Sequence, residues 1–215
     1  MSLEKPIGPE AILEKKKKYI MPCLAHFYKE PRQFVKGEMQ YLFDSEGRKY
    51  LDCFAGVSVI NCGHCNPEIN AEVVKQVQSL QHVCNTYLTE NFVNLAEKLA
   101  EVTPGDLQKT FFCSTGTEAN EGALLLASIY TGKDEFIALR NGLHGRTKLT
   151  MSLTGIQMWR TDPHPCGGIH FAPNAYCYRC PLGKKFPECD YACADAVDDL
   201  IRTATSGQPA ALIAE

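Results

Sequence analysis

Residues 111 to 127 read "FFCSTGTEANEGALLLA". The apolar residues of "KTFFCS" (109–114) predict a buried strand that ends at Cys113 or Ser114. A tight turn follows, with Gly116 at the bend, where a missing side chain lets a ligand approach the backbone. A helix is expected to start near Thr117 and to stop at Gly132. The first amides of such a helix have no internal acceptor, and its dipole favours an anion there. A phosphate suits that position, and Ser114, Thr115 and Thr117 add hydroxyl donors. The loop is not a Walker A sequence, because no Lys follows the Gly, and it lacks the spacing of a dinucleotide fingerprint. The same residues also read as a plain helix cap, Thr or Ser at the start with a Glu in the first turn.

Working outward, "EFIALR" is a second strand. It leads into "RNGLHGRT", residues 140 to 147. In a parallel sheet that segment lies at the carboxyl edge of the strand, near the first loop, where ligands bind. His144 brings ring donors and acceptors, and Arg146 can pair with an anion or brace the loop. A single loop His is equally readable as a structural residue. Beyond it, "TKLTMSLTG" reads as helix, "GIHFAP" as strand, "CADAVDDLIRTAT" as helix and "AALIAE" as strand. Upstream, Pro67 stands at a favoured first helical position behind Asn66 as cap. Ile69, Val73, Val74, Val77 and Leu80 then recur at helical spacing, and a further helix is expected over about Glu90 to Val102. The alternation predicts an α/β fold, a mostly parallel sheet with helices on both faces. It is preceded by an N-terminal helix (Glu10 to Ile20) and a β meander in "QFVKGEMQYLFDSEGRKYLDCFAG", broken at Gly37 and at the turn Asp44 to Gly47.

The bulk composition excludes several classes. The chain has 215 residues, 45% hydrophobic and 22% charged, the mix of a soluble globular protein. A formal net charge of −3 exerts no global pull toward nucleic acid or anionic membrane. No apolar run approaches the roughly 20 residues that span a bilayer. The basic run Lys15 to Lys18 reads as a solvated helix face, and the N-terminus has no apolar signal core, so a cytoplasmic location is expected. The eleven cysteines are read as mostly reduced thiols, several of them buried. Cys177, Cys180, Cys189 and Cys193, in a Pro- and Cys-rich connection, have spacings that admit zinc, a disulfide or ordinary packed thiols. The site expectation carries no metal.

A second stretch, "VINCGHCNPE" (59–68), holds Cys62-Gly63-His64-Cys65, the pattern of a redox dithiol at a helix start. No Trp precedes Cys62, and the motif follows a β meander inside a longer αβ series. A thiol oxidoreductase is therefore the weaker reading.

"STGTEANEGALLLA", "HGRT" and "GHCNP", in that order and spacing, resemble the class III (ω-amino-acid) aminotransferases, pyridoxal-phosphate (PLP) enzymes of fold type I. The meander and the strand "AALIAE" are similar too, so the resemblance covers about residues 30 to 215. It implies residues 1–60 as part of a small domain and 61–215 as the N-terminal part of a large PLP-binding domain, truncated at its C-terminus. It implies that Thr115, Gly116 and Thr117 hold the cofactor phosphate and that His144 and Gly145 lie beside the pyridine ring. Leu143 stands where the family usually has a stacking aromatic, and supplies an apolar contact instead. Glu215 would shape the site, and Val57, Ser58 and Tyr87 would line the substrate side. The family's Schiff-base Lys and its Asp on the pyridinium nitrogen follow the "LIAE" strand. None of Lys133, Lys148, Lys184 and Lys185 stands in that context. The implied function is transfer of an amino group from an amino acid (4-aminobutyrate, alanine or acetylornithine type) to a 2-oxo acid, by a homodimer. The chain by itself is expected to be inactive. Racemase, aminomutase or non-catalytic roles are the alternatives.

Overall fold

The computed structural model describes residues 6–24 and 26–215. They fall into two compact units, Met1–Glu90 and Asn91–Glu215.

In the first unit, α1 (Pro9–Tyr19) starts with Pro at its first turn and ends on Lys16, Lys17 and Lys18, charges that suit the negative end of the helix dipole. Strands β1 (Phe34–Glu38), β2 (Tyr41–Asp44) and β3 (Lys49–Leu51) form the expected antiparallel meander, in that order. The turn after β2 closes with the Gly47 amide donating to the Asp44 carbonyl at 3.0 Å. Asp44 is only 2% exposed. Its carboxylate accepts from the Glu46 and Arg48 amides, the Arg48 Nε and the Tyr50 hydroxyl. Burial alone would raise its pKa. The Arg48 side chain and the other donors outweigh that and hold it down at about 2.

Gly37 does not separate two strands; it lies inside β1, and the chain reverses at Met39 and Gln40. The glycine has a different reason: a Cβ there would stand 2.7 Å from the Cβ of His64. After β3 comes α2 (Ala55–Ser58), one turn with left-handed backbone, and then α3 (Pro67–Ser79). The Asn66 side chain caps α3 as expected, accepting from the Glu68 amide at 3.0 Å.

In the second unit, α4 (Glu90–Val102) precedes α5 (Gly116–Thr131), which ends on left-handed Gly132. Between them "KTFFCS" is not a strand. Phe112 packs on Phe92 with ring centroids 4.8 Å apart, yet Phe111 is exposed and no backbone ladder forms. An apolar run makes a strand only where another backbone pairs with it, and no described residue does so. The sheet that does form has the order β5 (Ile169–Ala172), β4 (Phe136–Leu139), β6 (Ala211–Ile213), all parallel. Phe136 and Ala138 on one face of β4 pack with Leu124 of α5 and Leu153 of α6 (Lys148–Leu153). Ile137, between them and so on the opposite face, is 1% exposed. Burial on both faces is what an unalternating apolar strand requires in an α/β sheet. The last helix, α7 (Ala192–Ala204), packs against β5. Among the described residues no helix is long and apolar enough to cross a membrane.

Candidate functional site

The site forms at the N-terminus of α5. Thr115 is its cap: its hydroxyl accepts from the Glu118 amide at 3.1 Å. Glu118 returns a carboxylate oxygen to the amides of Ser114 (2.9 Å) and Thr115 (3.1 Å), completing a capping box. The Ala119 amide reaches the Thr115 carbonyl at 3.1 Å. The helix-cap reading of this segment is what the structure shows. The box satisfies three amides and the Thr115 carbonyl a fourth, which leaves those of Gly116 and Thr117 without an acceptor among the described residues. Two adjacent free amides on the dipole of a 16-residue helix make an anion cradle.

The loop after β4 is drawn against this cradle. The Asn120 side chain, one turn into α5, donates to the His144 carbonyl at 2.7 Å. The His144 amide donates to the Thr154 hydroxyl at 3.2 Å, and the Gly155 amide to the Gly142 carbonyl at 2.9 Å. Gly145, at φ +149°, lies so close to α5 that a Cβ would sit 2.7 Å from the Thr117 hydroxyl and 2.5 Å from that of Thr150. His144 is 4% exposed, and its Nε2 is buried with no hydrogen-bond partner. Burial lowers its pKa, and the negative charge of Glu215 offsets this only in part, which favours the neutral ring. The Leu143 amide donates to the Glu215 carboxylate, which ties the end of β6 to the loop. The residues expected to hold a cofactor, Thr115, Gly116, Thr117, Leu143, His144, Gly145 and Glu215, thus lie together in one unit. A phosphate-bearing planar group fits what is there: free amides, a loop whose Gly145 has no room for a methyl group, and one unsatisfied buried ring nitrogen.

Val57, Ser58 and Tyr87 belong to the first unit. Val57 and Ser58 have φ of 66° and 63°, unusual for residues with side chains; left-handed backbone costs such residues about 1–2 kcal/mol each. Their exposed side chains follow directly from that turn.

Sequence reading missed Asn120, one of several polar residues in the first turns of α5 with no local signal of its partner. It also missed Asp52, discussed below. All eleven cysteines are unpaired, but none is buried, contrary to expectation. They lie in loops and helix ends that no packed layer covers. Cys177, Cys180, Cys189 and Cys193 border one small apolar hollow with Leu182 and Phe186. No group of three or more His, Cys, Asp or Glu among the described residues is placed to hold a metal. Cys62 and Cys65 are exposed, and the residues between them carry the structure: Gly63 turns at φ +91° and His64 bonds to Met39.

A parallel sheet flanked by helices, with a free helix start beside a buried histidine loop, is an arrangement of fold type I transferases. The chain belongs to the class III aminotransferases, whose family profile matches residues 25–215. An alanine–glyoxylate aminotransferase 2 homolog of Arabidopsis thaliana, named as mitochondrial, is 42% identical over 97% of this chain and 43% of its own length. The acetylornithine aminotransferase of Methanosarcina mazei is 36% identical over 97% of this chain and 47% of its own. An ω-transaminase from Thermomicrobium roseum superposes with a TM-score of 0.80 at 27% identity, over 94% of this chain and 48% of that one. A taurine:2-oxoglutarate aminotransferase from Bifidobacterium kashiwanohense, solved with PLP and glutamate, shares the fold with a TM-score of 0.83. The chain spans less than half the length of the relatives it matches.

Proposed function

We propose that these residues form the phosphate-anchoring half of a PLP-dependent aminotransferase, acting on an amino acid and a 2-oxo acid. One observation carries the reading: the unpaired amides of Gly116 and Thr117 face a loop whose Gly145 has no room for a methyl group and whose His144 keeps an unsatisfied buried nitrogen. When bound, PLP supplies an electron sink for the bond broken at the amino-bearing carbon.

The chain's own residues do the positioning. The Gly116 and Thr117 amides, with Thr115 alongside, bind the phosphate. Leu143 gives the ring an apolar contact on one side. His144, held neutral by burial, and Gly145 border the ring without adding a charge to it. Glu215 fixes the Leu143 amide and so the start of that loop. Val57, Ser58 and Tyr87 are assigned to the substrate side on resemblance. The lysine amine and the pyridinium partner are assigned to the part of the family that this chain does not span. Two of the lysines present support that. Lys133 follows the far end of α5, whose 16 residues span about 24 Å at 1.5 Å per residue. Lys148 is engaged with Asp162 at 2.6 Å. Residues 1–60 are assigned to the small domain and 61–215 to the large one. The full-length protein is proposed to be a cytoplasmic homodimer, which light scattering and cell fractionation test directly.

The decisive experiment uses the full-length protein. PLP titration followed by absorbance, then single turnovers with alanine, 4-aminobutyrate and acetylornithine, should show cofactor binding and amino transfer with at least one donor. Replacing Thr117 by Pro, which removes one amide donor, should weaken PLP binding sharply. Full PLP affinity in that variant would sink the phosphate assignment. Release of racemised or rearranged amino acid, with no 2-oxo acid, would favour a racemase or aminomutase instead.

A further inference from the structure

The left-handed turn α2 is held by a chain of contacts that begins two strands away. Four consecutive residues, Ala55, Gly56, Val57 and Ser58, have positive φ. Only Gly56 adopts such backbone freely. The turn bonds to itself: the Val57 and Ser58 amides reach the Phe54 carbonyl at 3.0 and 3.1 Å, and the Val59 and Ile60 amides reach the Ala55 carbonyl at 2.9 and 3.0 Å. Those bonds do not select it over a right-handed turn, which has the same kinds of bond without the steric conflict. Something outside the turn must hold it.

Asp52 is placed to do so. Its Oδ1 accepts from the Phe54 amide at 2.9 Å and the Ala55 amide at 3.1 Å, fixing the two residues from which the turn starts. Its Oδ2 pairs with His64 Nε2 at 2.6 Å. His64 is itself held: its amide and carbonyl both bond to Met39 at 2.7 Å, and its ring occupies the space that Gly37 leaves open. The aspartate and the histidine are each less than a quarter exposed. We propose that Asp52 and His64 form a positioning pair that transmits the rigidity of the β meander into residues 54–60 and so sets where Val57 and Ser58 stand for the amino donor. This rests on the reading that Val57 and Ser58 line the substrate side. Neither residue touches cofactor in this proposal, and neither is a catalytic residue.

The test uses full-length protein and the near-isosteric variants Asp52→Asn, His64→Gln and the double variant. Hydrogen exchange of peptides covering residues 53–61, read by mass spectrometry, should accelerate roughly tenfold or more in each single variant, with the double variant no worse than the singles. The KM for the amino donor should rise roughly five- to twentyfold, while kcat in the half-reaction and PLP affinity stay within about twofold. Unchanged exchange at 53–61, or exchange effects that simply add, overturns the pair. Faster exchange with an unchanged donor KM leaves the clamp but overturns the substrate-side role of Val57 and Ser58, without touching the phosphate cradle. A KM rise matched by an equal loss of PLP affinity overturns the positioning role in favour of general damage.

Discussion

A methyl group has no room at Gly145. Its Cβ would meet the Thr150 and Thr117 hydroxyls at 2.5 and 2.7 Å, and the backbone there has a positive φ. Gly145→Ala should therefore destabilise the protein by about 1–3 kcal/mol, through strain and overpacking together. It should also push the loop off α5 and weaken PLP binding at least about tenfold, close to 1.4 kcal/mol of lost affinity. Denaturant unfolding and PLP titration of the same variant check both. The neighbouring His144 makes a pH prediction. Burial lowers its pKa in the folded state, so the unfolded chain binds the proton more readily. Its contribution to stability is then complete above the ordinary imidazole pKa, about 6.5. It is lost progressively as pH falls below that value. Comparing melting temperature against pH for the wild type and His144→Asn isolates this residue from the other five histidines. The wild-type curve should fall more steeply below pH 6.5, and parallel curves would show that the ring is not buried in solution.

The helix α5 joins stability to binding through its cap. Removing the Thr115 hydroxyl frees the Glu118 amide and disrupts the box. Thr115→Ala should lower stability by about 1 kcal/mol, while Thr115→Ser should restore most of it. Urea unfolding of both variants decides the matter; equal stability of the alanine form would mean that the cap is made by solvent. Elements of this kind were the most legible in the sequence, because their signals are local. Pro67 behind Asn66, Thr115 three residues before Glu118, and Gly132 after the last turn of α5 each act within a few residues of themselves. The parallel run β4, β5, β6 was equally readable, since its strands show as short apolar blocks, β4 being buried on both faces. "KTFFCS" was not, because its apolarity is the same whether or not a neighbouring backbone pairs with it. The loop after β4 was singled out from "HGRT" and from family resemblance. The link from Gly37 through His64 to Asp52 was invisible, since it depends on three residues meeting across a turn. The purpose of Gly37 was misread for that reason.

At the scale of the whole molecule, the surface is large for the mass. The chain exposes 16,868 Å². A folded monomer of 23.9 kDa is expected to expose about 10,000 Å², and two separate units of these sizes about 12,000 Å². The excess has an apolar character. Leu126 is 63% exposed and Tyr130 93% exposed on α5, while Ile69, Val73 and Val77 of α3 and Phe92 and Leu95 of α4 also face outward. Among the described residues both flanking strands of the parallel sheet, β5 and β6, are paired on one side only. Amphipathic helices with nothing on their apolar faces, beside unpaired sheet edges, are the features that drive association. The 215-residue chain expressed by itself should therefore bind an apolar dye such as anilinonaphthalene sulfonate and run as oligomer or aggregate in light scattering at micromolar concentration. The full-length protein, compared at the same concentration, should bind far less dye per residue. A monodisperse 215-residue monomer without dye binding would mean that these faces are covered in solution.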